Sequence, residues 1–259
     1  MNSDSANRLI ELNRQFYQSF AGSFSETRRR LQPGVVRILD EIHSDQDILD
    51  LGCGNGELWN ALVKNGHRGS YIGIDFSLPL LKTVSDSSPD RQIIEQPASS
   101  EAIEEALLRY HACFVEADLF KSGWEKPLAK RSFRVILAFA SMHHIPGEMN
   151  RANLVKSIYQ LMPPDGLFFL SVWQFLNSPR LVKRLQSWET IDLKRDQVDP
   201  GDYLLDWKHG GYGLRYVHHF TEDELAHLAA SHGFQVTQQF NSDGEGGKLS
   251  LYQIWKKQG

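Results

Sequence analysis

The segment Asp50-Leu51-Gly52-Cys53-Gly54-Asn55-Gly56 carries the densest chemical signal in the chain. It lies between a short apolar run and an amphipathic stretch, so the spacing predicts a strand, a glycine turn and a helix. Glycines there permit a tight turn and let a ligand approach the backbone. The dinucleotide fingerprint would place a third glycine at position 57, which is Glu57. Asp50 decides the ligand's charge: a carboxylate at this helix entrance opposes a pyrophosphate and favours an ammonium or a sulfonium. Asp75 ends the next apolar run and is placed to accept both hydroxyls of a ribose. Asp118, after the third run, could accept from an adenine amino group. Outside these motifs, Arg28 and Arg215 supply guanidiniums able to grip a carboxylate in bidentate fashion. His143 supplies an imidazole able to act as a general base.

The elements that must position these residues follow from periodicity. Apolar runs at 47–53, 70–75, 111–118, 133–140 and 166–173 read as strands, with amphipathic helices between them. The helix containing MNRANLVKSIYQLM must stop at Pro163-Pro164. Thr221 and Glu224 form a capping box for a late helix that ends at Gly233. FQVTQQF and KLSLYQIWK close the chain as a reversed hairpin. Alternation of this kind predicts an α/β fold, a Rossmann-like, seven-stranded, mostly parallel sheet with helices on both faces.

One domain is expected over 1–259. Residues 1–44 form a helical cover, 45–173 and 221–259 the core, and 174–220 an insertion on the ligand side. Long segments of this kind gather over the carboxyl ends of the strands.

Composition narrows the class. Hydrophobic residues make up 41% and charged residues 23%, ordinary for a globular chain, so wholesale disorder is unexpected. Two cysteines, Cys53 and Cys113, exclude a disulfide scaffold and a four-cysteine zinc site. No signal peptide or membrane-length apolar run is visible, and a cytoplasmic location with no membrane partner is expected. The net charge of −4 argues against general coating of polyanions. It leaves two basic stretches, an arginine-rich 1–37 and the segment from Arg180 to Arg195, readable as phosphate contacts or as solvated helix faces. No metal site is expected, because the His143-His144 and His218-His219 pairs lack carboxylates at ligand spacing.

DLGCGNG, with Asp75 and Asp118 in register, resembles the class I S-adenosylmethionine-dependent methyltransferases. That resemblance implies S-adenosyl-L-methionine as cofactor and S-adenosyl-L-homocysteine as product. It implies cofactor contacts from Asp50, Gly52, Cys53, Gly54, Asn55, Gly56, Asp75, Phe76, Asp118, Leu119, Ala138 and Phe139. Cys53 would be a small filler in the turn, since no adjacent base would activate it.

Three further segments, Phe16 to Arg28 with FSETR, Ser141-Met142-His143-His144-Ile145-Pro146, and RYVHHF from Arg215 to Phe220, resemble the family that methylates 5-carboxymethyluridine at the tRNA wobble position. The chain departs from that family at RRRLQPG and at NSDGEGGKLSL. The resemblance implies acceptor contacts from Tyr17, Arg28, His143, Arg215, Tyr216 and His218, with Arg28, His143 and Arg215 acting on the acceptor. It implies tRNA as a partner and leaves a small activating subunit open. An ionised carboxylate requires no base to accept a methyl group, whereas an amine or phenol does. Both residue sets are present, so a small carboxylic acid or a phenol remains an alternative acceptor. A non-catalytic cofactor-fold binding subunit remains an alternative function.

Overall fold

A computed structural model describes residues 1–27, 30–84 and 90–259. Helix α1 (Ser3–Ser19) starts at Asn2, whose side chain accepts from the Ser5 amide, and buries Leu9, Asn13, Phe16 and Tyr17 along one face. After α2 (Ala21–Glu26) and α3 (Pro33–Leu39), the chain enters the core at β1 (Ile48–Leu51). The predicted alternation then appears in order: α4 (Glu57–Lys64), β2 (Tyr71–Asp75), α5 (Leu78–Lys82), β3 (Arg91–Ile94), α6 (Ser100–Arg109) and β4 (Ala112–Glu116). β5 (Val135–Phe139), α7 (Glu148–Gln160) and β6 (Leu167–Trp173) complete the first part of the core.

Residues 174–220 hold α8 (Pro179–Val182) and the strands β7 (Leu185–Gln186), β8 (Asp202–Trp207) and β9 (Gly213–His218). α9 (Glu222–Ser231), β10 (Phe234–Ser242) and β11 (Ser250–Lys257) end the chain. The Thr221 side chain caps α9 by accepting from the Glu224 amide at 3.1 Å.

The main sheet has eight strands in the order β10-β11-β6-β5-β1-β2-β4-β3. The expected count was seven; the additional strand is β3, a four-residue edge strand parallel to β4. It is too short for a periodic signal, and only Ile94 is buried, on the side where α6 packs. β11 runs antiparallel between β6 and β10, the reversed hairpin expected from the sequence. Apolar side chains of α6, α7 and α9 pack on one face of the sheet, and those of α3 and α4 on the other.

β1 sits where the strand order reverses, with β2 on one side and β5 on the other. The carboxyl ends of these strands therefore splay apart and leave a crevice. The insertion forms a second, antiparallel sheet, β7-β8-β9. α1 lies against it, with Leu9 packed among Trp188, Leu204 and Tyr216. Among the described residues no helix is long and apolar enough to cross a membrane.

Candidate functional site

A cleft of about 270 Å³ opens at the carboxyl ends of β1, β2, β5 and β6, roofed by α1 and by the segment leading into α3. Its first lobe is built on the glycine turn. Gly52 and Gly54 have φ of +81° and +55°, in the left-handed region that glycine adopts without strain. A Cβ on Gly54 would meet open space, whereas one on Gly52 would lie 2.6 Å from the Ser141 side chain. Asp75 is buried and accepts from the Gly54 amide at 3.0 Å and from the Ser77 amide at 2.8 Å. Burial pushes its carboxyl up to about 6, against the pull of those amides.

Asp50 lies deeper and accepts from the Tyr71 hydroxyl at 2.5 Å. Burial, reinforced by the nearby Asp75 charge, pushes its carboxyl up to about 7. Among the described residues no cation pairs with either of these buried carboxylates, and a cationic ligand would lower both raised pKa values. Cys53 also lines this lobe, and burial pushes its thiol well up, so it is an inert filler. Asn55 donates to the Ser25 hydroxyl at 3.1 Å, tying the glycine turn to α2.

Phe76, Leu80, Leu119 and Phe120 make an apolar slot beside Asp75. Asp118, expected to face this slot, does not line the cleft. Its carboxylate is taken by Arg14 of α1 and by the Phe120 amide. Ala138 is fully buried within β5, and Gly56 packs against Val84 and Phe114; Phe139, Ala140 and Ser141 form the wall instead.

The second lobe holds Arg215, which is buried with its guanidinium over three aromatic rings. Its central carbon lies 4.7 Å from the Trp173 centroid and 5.5 Å from those of Phe16 and Trp207. Such stacking holds the planar fork in one orientation while its charge is retained. His143 is buried beside it and accepts from the Trp173 amide at Nδ1, 3.2 Å away. The neutral ring therefore carries its proton on Nε2 and is a donor there, not a base.

His144 fixes the roof. Its Nδ1 donates to the Tyr216 carbonyl at 3.1 Å and its Nε2 accepts from the Tyr17 hydroxyl at 2.7 Å. Tyr17 thus lines the cleft with its ring while its hydroxyl serves α1. Asn13, which sequence reasoning missed, is fully buried and bonds to the His144 carbonyl and to both the amide and carbonyl of Tyr216.

Two expected acceptor contacts are corrected. The Tyr216 and His218 side chains do not line the cleft: they alternate with Arg215 along β9 and point to the buried carboxylate of Asp202. Strand alternation is the cause, since neighbours on a strand face opposite ways. Arg28 lies outside the described residues.

Several basic residues are committed to structure. Arg8 donates to the carbonyls of Ile191 and Asp192, Arg184 pairs with Asp206, and Arg37 lies over Phe240. Arg180, Lys183 and Lys194 are exposed. Among the described residues no cluster of histidine, cysteine and carboxylate side chains is arranged to hold a metal ion.

A family profile described as "Methyltransferase domain" matches residues 24–239. A protein of Encephalitozoon cuniculi is 26% identical over 223 residues, 86% of each chain. The tRNA (carboxymethyluridine(34)-5-O)-methyltransferase of Schizosaccharomyces pombe is 23% identical, covering 86% of this chain and 88% of its own. The Arabidopsis thaliana protein of the same name is 26% identical over 71% of this chain, a stretch spanning 38% of that relative. An SAM-dependent methyltransferase of Methanosarcina mazei superposes with a TM-score of 0.59 at 19% identity, covering 88% of this chain and 98% of its own.

Proposed function

Because the chain belongs to the methyltransferase-domain family, we propose that it moves a methyl group from S-adenosylmethionine onto a carboxylate, namely the carboxymethyl group of a tRNA wobble uridine. The first lobe fits the cofactor. Asp75 has lone pairs left for ribose hydroxyls, Phe76, Leu119 and Phe120 offer an apolar slot for a base, and Asp50 is a buried carboxylate that pairs with no cation among the described residues. Bound there, S-adenosylmethionine supplies an electrophilic sulfonium methyl group.

The chain's own residues then orient and desolvate the acceptor. The observation that carries the acceptor assignment is Arg215, held among Phe16, Trp173 and Trp207 at the other end of the cleft. A guanidinium fixed in that way suits a carboxylate and repels an ammonium. His143 supports the same reading, because a ring protonated on Nε2 cannot take a proton from an amine or phenol through that atom. A carboxylate needs only alignment and exclusion of water, which orientation can supply. The names of the Schizosaccharomyces and Arabidopsis relatives point to the same acceptor.

The test is incubation with methyl-labelled S-adenosylmethionine and tRNA bearing 5-carboxymethyluridine, followed by mass spectrometry of the nucleosides. The methyl ester of that nucleoside is the expected product. Labelled methyl esters of small acids from a metabolite pool, with no label in tRNA, would transfer the assignment to a small carboxylic acid.

A further inference from the structure

Tyr216 and His218 were singled out by the sequence and left unused by the cleft. They belong to a buried ionic cluster behind it. His218 Nδ1 lies 2.6 Å from Asp202 Oδ1, and its Nε2 lies 2.8 and 3.1 Å from the two oxygens of Glu224. Carboxylates at both ring nitrogens require both to carry hydrogen, so the geometry is that of an imidazolium. The ring is 1% exposed, which leaves no water to take over either contact.

The charges facing this ring come from every element around it. Asp202 begins β8 and also accepts from the Tyr216 hydroxyl of β9 at 2.7 Å and from the Asp199 amide at 2.9 Å. Glu224 stands in the first turn of α9. Arg151 of α7 reaches Asp199 at 3.8 Å and Glu224 at 3.7 Å, and donates to the Ile145 carbonyl in the turn that carries His143 and His144. The Met1 amino group pairs with Asp199, and His219 adjoins on β9's exit, its own basicity lowered by burial and by His218. Three carboxylates thus face Arg151, the Met1 amine and His218, and Arg195 adjoins them, donating to the Asp199 and Asp202 carbonyls at 3.1 and 3.3 Å. His218 is the one of these cations that touches both Asp202 and Glu224.

We propose that His218 is a positioning residue whose protonated form pins β9 to α7 and α9 and thereby holds Arg215 in the cleft. Arg215 lies three residues earlier on the same strand, and the Tyr216 backbone between them carries the bonds to Asn13 and His144. Loss of the His218 proton removes the positive charge held between Asp202 and Glu224 and one of the two ring donors, so β9 loosens from its far end. Burial alone would lower the histidine's pKa, but the bonds to Asp202 and Glu224 outweigh it and raise it above the ordinary 6.5. The sign follows: this docking is complete below about pH 6.5 and is lost as pH rises through the raised value.

Amide hydrogen exchange of the full chain, corrected for the intrinsic pH dependence of exchange, tests the docking without any acceptor. Its outcome is therefore separable from that of the tRNA reading, on which only the consequence for turnover rests. Protection over 202–218 should hold steady at low pH and then fall by up to tenfold per pH unit above the His218 midpoint, while β1 and β2 keep theirs. Glu224→Gln should move that fall to lower pH by about one unit. His218→Asn should give weakened protection with no midpoint. Glu224→Gln alters a half-exposed residue and decides the matter if His218→Asn fails to fold. Protection over 202–218 that follows β1 and β2 at every pH, or a midpoint unmoved in Glu224→Gln, overturns the proposal.

Discussion

At the scale of single residues, the proposed function assigns the two halves of the chemistry to Arg215 and Asp50. Arg215→Ala should reduce methyl transfer by roughly 30- to 1,000-fold, the usual cost of removing one partner of a desolvated charge pair. Cofactor affinity, read by calorimetry, should stay within about twofold, because the glycine turn is untouched. Arg215→Lys should rescue little, since an ammonium cannot stack on Trp173 or present a planar fork. Asp50 predicts a pH dependence. Its carboxyl titrates at about 7 in the folded protein against an ordinary 3.8, so the native state holds a proton that the unfolded chain releases. Without ligand, stability should therefore fall as pH rises from about 4 to about 7 and then level off. Asp50→Asn should stabilise the ligand-free protein at pH 8 by ~2 kcal/mol in thermal or urea unfolding. It should also weaken binding of the cationic cofactor and remove the loss of affinity that the wild type shows as pH falls through 7. The glycine turn, Asp50 and Asp75 were legible because charge and glycine spacing have few structural uses in that combination. Asn13 was not, because a lone amide on an amphipathic helix declares no partner until β9 and the His144 turn are packed against it.

At the scale of elements, the strands legible in the sequence were those whose apolar runs are buried on both faces, such as β1, β2 and β5. β3 and the sheet of the insertion were hidden for a physical reason. Four residues of mixed polarity carry no period, and the two-residue β7 owes its existence to β8, an antiparallel partner reached only after residues 187–201. The correction at Tyr216 and His218 has the same origin: residue types in RYVHHF were visible, but which of them face the cleft depends on strand alternation. α1 is the element on which the roof depends. Asn13→Ala removes three buried bonds to β9 and the His144 turn and should destabilise the docked helix by ~3 kcal/mol. Faster amide exchange over residues 5–17, with core strands unchanged, is the expected readout. Tyr17→Phe removes the hydroxyl's bond to His144 and should cost ~1 kcal/mol by the same measure.

At the scale of the whole molecule, the α/β fold brings the buried carboxylates of Asp50 and Asp75 and the Arg215 guanidinium to one cleft, with the insertion sheet and α1 packed around the guanidinium. The exposed Arg180, Lys183 and Lys194 lie on that insertion, while Arg8, Arg14, Arg37 and Arg184 are committed to internal contacts. Reversing Arg180, Lys183 and Lys194 to Glu should weaken tRNA binding and flatten its salt dependence, with unfolding temperature nearly unchanged. Unaltered tRNA affinity in that variant would favour a small acid enclosed by the cover. The most direct measurement concerns the bond that is formed. Methyl-labelled S-adenosylmethionine is supplied with tRNA carrying the carboxymethyl group, and the labelled tRNA is then treated with mild alkali. The account predicts an ester, so the label should be released as methanol. Label that survives alkali would mean transfer to nitrogen, carbon or a hydroxyl, and would contradict a carboxylate acceptor held by Arg215.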